Sequence, residues 1–138
     1  MTAKAYLEQA FRLDQRINSK IAQVSSLHEL ATKATSTISD MPRAASPNVH
    51  RMEDIIMKIF ALEEEINADI DALVDLKREI VAVIKAVENT EYQTVLEKRY
   101  LNFDKWEQIA VDMGYSMDWL FAIHRAALKN IEIPERQQ

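Results

Sequence analysis

Five cations, Lys98, Arg99, Lys105, Arg125 and Lys129, fall in one segment near the end of this 138-residue chain. Cations clustered on a small helical unit are the chemistry of phosphate contact. Between them stands Gly114, the only glycine in the chain. It falls where a short apolar-periodic segment ends and another begins, a position that favours left-handed backbone geometry. Before it, Asp104 and Glu107 have capping-box spacing, and Ile109, Ala110 and Met113 mark an inward face. After it, Tyr115 plugs a small core and Ser116 is an N-cap. Leu120, Ile123, Ala127 and Leu128 mark the inward face of the helix that Ser116 opens. Helix, glycine turn and capped second helix together are the layout of a helix-turn-helix.

Other chemistry has little support. His28, His50 and His124 lie far apart without metal spacing, and there is no Cys. His28 reads as flanking a heptad seam and His124 as a core or half-core residue. Glu63, Glu64 and Glu65 read as a solvated helical face. No phosphate-cradling glycine loop, nucleophile elbow or paired catalytic carboxylate is visible, so neither an enzyme nor a bound metal or cofactor is expected.

The elements that position this segment must be helices. One Gly and three Pro are too few for the turns of a sheet protein. Tyr6, Ala10, Leu13, Ile17, Val24, Leu27, Ala31, Ala34 and Ile38 recur at spacings of three and four, with one beat missing at Lys20/Ile21. The spacing predicts a first helix over about Ala3 to Ile38. Pro42 and Pro47 place a connection over Asp40 to Asn48. Met52, Ile55, Ile59, Leu62, Ile66, Ile70, Leu73, Leu76, Ile80, Val83/Ile84 and Val87 predict a second helix over Val49 to Glu88. Thr90 is placed to cap a third over Glu91 to Tyr100. Two shorter helices follow, over Phe103 to Met113 and Ser116 to Asn130, and Ile131 to Gln138 reads as a frayed tail. The expected fold is all-α: a long antiparallel coiled-coil hairpin over residues 1–89, then a three-helix helix-turn-helix domain over residues 90–138.

Charge supports pairing of the two long helices. Residues 1–51 carry seven Lys/Arg against four Asp/Glu, whereas residues 52–90 carry four against ten. A two-helix hairpin leaves a wide apolar stripe uncovered, so a homodimer or higher oligomer is expected. No run is long and apolar enough for a membrane span, and Met1 to Leu7 lacks a signal-peptide layout. The reading is a soluble cytoplasmic protein of a bacterial cell, with no membrane partner.

Leu96-Glu97-Lys98-Arg99-Tyr100-Leu101, Trp106-Glu107-Gln108-Ile109-Ala110, Gly114-Tyr115-Ser116 and His124-Arg125-Ala126-Ala127-Leu128 resemble the promoter-reading region four of sigma factors. That resemblance spans Val95 to Ile131. With the long helical part before it, the whole layout resembles autolysin-regulator-like (ArpU-like) regulators of phages and prophages; Asp14 to Asn18 and Asp75 to Ile80 fit the same layout. The resemblance implies a transcriptional regulator that binds double-stranded DNA. Its reading helix would offer Ser116, Met117, Asp118, Trp119, Phe121, Ala122, Arg125 and Lys129, with Lys98, Arg99 and Lys105 on phosphates. Trp119 and Phe121 are placed to meet thymine methyls. They fit equally an adaptor that binds RNA polymerase or another regulator, and a DNA-packaging, small terminase-like component shares the layout. The outward face departs from the sigma pattern: it is more apolar, and Asp118 near the helix start repels phosphate. Weak binding by a single copy is expected.

Overall fold

The structure, a computed structural model, describes residues 1–39 and 47–137. All its regular elements are helical: α1 (Ala3–Ser39), α2 (Pro47–Lys85), α3 (Thr90–Tyr100), α4 (Trp106–Met113), α5 (Met117–Lys129) and a 3₁₀ turn (Glu135–Gln137). This is the predicted all-α fold. The connection expected over Asp40 to Asn48 lies outside the described residues, except that Pro47 and Asn48 already open α2; so does the side chain of Ile38.

The helices form two compact units. One is Gln15–Ala72, and the other joins Met1–Asp14 to Leu73–Gln138. In the first, the middle of α1 runs antiparallel to α2, with Lys20 meeting Asp69 and Thr35 meeting Met52. Ile17, Ala34, Ile55, Ile59 and Ile66 are buried along this seam. The seam is a heptad repeat with one polar beat on each helix. Lys20 fills the missing beat of α1, and its Nζ lies 2.6 Å from Asp69 and 4.0 Å from Glu65. The expected pairing of a basic with an acidic helix is realised here. The matching beat of α2 is Asp69. Ile70, assigned to the seam on sequence, is instead exposed. A count of four from Ile66 selects Ile70, but the alternation of fours and threes through Leu62, Ile66 and Leu73 selects Asp69.

The second unit builds the helix-turn-helix against the two ends of the long helices. Its main cluster holds Tyr6, Leu7 and Ala10 of α1, Ile80 and Ile84 of α2, Val87 between α2 and α3, Leu96 and Tyr100 of α3, and Ala127 of α5. The hydroxyl of Tyr6 donates to Glu79 at 2.7 Å, and Arg136 pairs with the same carboxylate. Of the expected frayed tail, residues 131–137 are ordered against this unit: Ile131 and Ile133 pack on the cluster, and Glu135–Gln137 form the 3₁₀ turn.

Two caps differ from expectation. Asn89, not Thr90, caps α3, its side chain accepting from the N–H of Glu91 at 2.9 Å and of Tyr92 at 3.2 Å. Asn outranks Thr as an N-cap, and the chain starts the helix one residue early to use it. Asp104 does not cap α4 either. Lys105 holds the N-cap position without a side-chain bond, and the helix opens at Trp106. Phe103, expected to open that helix, lies in the preceding turn at φ +60°. A left-handed Phe costs on the order of 1 kcal/mol. Its ring recovers contact, edge-on to Phe11 at 5.6 Å and under the Lys77 ammonium at 4.5 Å.

Two outcomes test this packing. Lys20→Met alone leaves Asp69 facing an apolar seam and should lower urea-measured stability by about 2 kcal/mol. Lys20→Met with Asp69→Leu should recover most of that, and a double variant no better than the single one would rule out the pairing. A fragment of residues 90–138 lacks the long-helix half of its main cluster. It should show little cooperative thermal unfolding by circular dichroism, whereas the full chain unfolds cooperatively.

Candidate functional site

The helix-turn-helix is closed by a second, smaller cluster: Val95 of α3, Ile109 and Ala110 of α4, and Leu120 and Ile123 of α5. Gly114 makes the reversal, at φ +70°. Its N–H donates to Val111, and the N–H of Tyr115 reaches back to Ala110 at 2.9 Å, which satisfies carbonyls at the end of α4. An added Cβ would meet nothing within 4 Å, so glycine is there for its backbone angle and not for space. Tyr115 is half-buried on the cluster, and its hydroxyl donates to Glu91 of α3. Ser116 caps α5 as expected, its Oγ accepting from the N–H of Trp119 at 3.1 Å.

With α5 so placed, Ser116, Asp118, Arg125 and Lys129 are exposed, Ala122 is half-buried, and Trp119 is 52% exposed. Met117 and Phe121 depart from the expected outward face. Met117 packs on the smaller cluster, and Phe121 sits edge-on to Trp106 at 5.4 Å. Both lie toward α4 on the side where α5 buries its apolar stripe, and both are half-buried. Thymine contact through Phe121 would require it to leave Trp106.

The three flanking cations are placed differently. Lys105 is exposed at the start of α4. Lys98 lies 3.9 Å from Asp112. The Arg99 guanidinium lies over the Trp106 ring at 4.5 Å and donates to the backbone oxygen of Asp104 at 3.0 Å. Such a stack restricts the guanidinium while leaving other donors open. No group of three or more metal-binding side chains occurs among the described residues, and none of the described helices is long and apolar enough to cross a membrane.

Behind Arg125 lies a feature that sequence spacing does not disclose. His124 is only 7% exposed. Its Nε2 is 2.6 Å from the Tyr100 hydroxyl, and its ring lies 4.6 Å from that of Trp106. Burial, with smaller contributions from the positive charges of Lys4, Arg99 and Arg125, lowers its pKa to about 4. The Tyr100 hydroxyl is pushed upward, mainly by burial, and stays protonated. The sequence marks His124 as a core residue, and it is one. Its link to Tyr100 and the approach of Lys4 are tertiary.

Fold and site together define an all-α protein with a C-terminal helix-turn-helix. The chain belongs to the family described as Protein of unknown function (DUF1492), whose model matches residues 34–132. No curated protein and no solved structure matches it. The matched span holds all of α2 to α5 and only the end of α1.

The histidine gives a pH test with a definite sign. A neutral histidine is favoured in the fold, whereas the unfolded chain takes up the proton near pH 6.5. The contribution of His124 to stability is therefore present above that pH and lost as the pH falls toward 4. The fall between pH 7 and 4.5 should be about 2 kcal/mol larger in the native chain than in His124→Gln, read by urea unfolding at both pH values. Equal falls would refute a neutral buried His124.

Proposed function

We propose that the protein is a phage-type transcriptional regulator that binds double-stranded DNA through α5. The observation that carries this reading is the α4–Gly114–α5 turn. It holds a capped helix against a packed core and leaves Ser116, Asp118, Trp119, Arg125 and Lys129 exposed. A helix held in this way is the element that enters a major groove. Arg125 and Lys129 are its cations, and Lys105, Lys98 and Arg99 flank it for phosphate contact. The likeness of Leu96–Leu101 and Gly114–Ser116 to sigma region four, and of the layout to ArpU-like regulators, supports the same reading.

Self-association belongs to the proposal. The unit Gln15–Ala72 leaves Ile21, Ile56, Met57 and Phe60 exposed. Apolar side chains grouped along a soluble helix pair call for a cover. A second copy seated there would bring two weakly charged α5 faces to one duplex, which raises avidity without a new contact.

A second reading rests on Trp119. An exposed Trp is an expensive surface residue and a frequent anchor of protein interfaces. An adaptor that binds RNA polymerase through α5 would use it and would need neither Arg125 nor Lys129.

The deciding measurement is an electrophoretic mobility shift at low salt on duplexes from the neighbourhood of the gene. Binding is expected at micromolar protein or below. Arg125→Ala with Lys129→Ala should weaken it at least ten-fold, whereas Trp119→Ala should change it less. Loss of polymerase binding in Trp119→Ala, with no shift of DNA by the native chain, would favour the adaptor.

A further inference from the structure

The first turns of α1 carry Lys4, Glu8 and Arg12, four residues apart and so in one row. Glu8 lies 3.3 Å from Arg12 and 3.9 Å from Lys4. Both cations are well exposed, and exposed pairs of this kind are weak, so each cation remains free to exchange its partner for another anion.

The row is fixed in place from behind. Tyr6, Leu7 and Ala10, on the opposite side of the same turns, are fully buried in the cluster that also holds Leu96, Tyr100 and Ala127. Glu8 and Arg12 then face Arg99 across a cavity of about 290 Å³, whose other walls are Phe11, Tyr100 and Phe103. The positive charges of Lys4, Arg99 and Arg125 all act on the buried His124 ring, so these three lie around one part of this unit, and Arg12 lines the cavity beside Arg99. Glu8, which pairs with Lys4 and Arg12, is the carboxylate that lines this cavity. At 1.5 Å per residue, Lys4 and Arg12 stand about 12 Å apart along α1. That separation suits two separate phosphates of a polyanion better than one small anion.

We infer that Lys4, Arg12 and Arg99 form a phosphate-binding flank for double-stranded DNA, which extends the contact surface from α5 onto the start of α1. The inference rests on the reading of α5 given above. It assigns a role to turns of α1 that precede the span matched by the family. Each phosphate neutralised releases counterions, so each such cation adds about 0.9 to the slope of log affinity against log salt.

The test is fluorescence anisotropy of the full chain on a duplex of about 25 base pairs, titrated from 50 to 200 mM KCl. Lys4→Ala with Arg12→Ala should reduce the slope by about 2 and weaken binding about ten-fold or more at 100 mM. Glu8→Gln, which removes the only carboxylate of the row, should strengthen binding. Arg51→Ala with Lys58→Ala removes the same charge from the other unit and should leave the slope unchanged. Circular dichroism checks that each variant is folded. A native slope in Lys4→Ala/Arg12→Ala, beside a reduced one in Arg125→Ala/Lys129→Ala, would overturn the flank and leave the α5 reading standing. Absence of duplex binding by the native chain would overturn both.

Discussion

The cluster that joins Leu96, Tyr100 and Ala127 to Tyr6, Leu7, Ala10, Ile80 and Ile84 is the contact on which the helix-turn-helix depends. The cluster that the short helices form among themselves holds Val95, Ile109, Ala110, Leu120 and Ile123. That is a small core for a segment of this length, because little of a short chain's surface is removed from water on folding. The long helices supply the rest. The compact unit accordingly takes in Met1–Asp14 and Leu73–Ala86 along with α3 to α5, and does not begin at residue 90. The fully buried Leu7, Ile80 and Ile84 each remove an aliphatic side chain from water, worth roughly 2 kcal/mol apiece.

The other unit solves a different problem, that of register. Its seam is rich in Ile, and one apolar beat resembles the next, so a slip of a heptad would cost little in burial alone. Lys20 and Asp69 break that degeneracy. They occupy matching beats, each largely sheltered, and a slipped pair would leave both charges against apolar neighbours. A gap in a hydrophobic repeat is thus informative in itself. The gap at Lys20 is matched on α2 by Asp69, where sequence spacing places Ile70.

What the sequence disclosed follows from how local each signal is. Gly114 and Ser116 were legible because a left-handed C-cap and an N-cap are properties of one or two residues. The long helices were legible because the repeat persists over many turns. The cap of α3 was misplaced by one residue because Asn89 and Thr90 both qualify and only geometry chooses. Phe103 was illegible because nothing in its type announces a positive φ; Phe11 and Lys77 stabilise it there, and they lie far away in the chain. Lys4 was illegible as a neighbour of Arg99 and Arg125 for the same reason. Met117 and Phe121 were misjudged by a helical wheel drawn for α5 alone, since the wheel cannot know that α4 brings Trp106 to their side.

The chemistry of α5 then turns on charge. Asp118 sits in its first turn, where it stabilises the helix dipole and offsets one of the two exposed cations further along. If α5 enters a groove as proposed, a helix so weakly charged would draw cations from elsewhere. The candidates are Arg99 of α3, whose guanidinium is oriented by Trp106, and the cations in the first turns of α1, which the shared core holds beside α3 and α5. The same packing that makes the short helices fold also places charge next to them. Folding and electrostatics are therefore not separable here. A substitution at Leu7 or Ala10 would loosen the core and move Lys4 and Arg12 together, although neither apolar residue carries a charge or faces solvent.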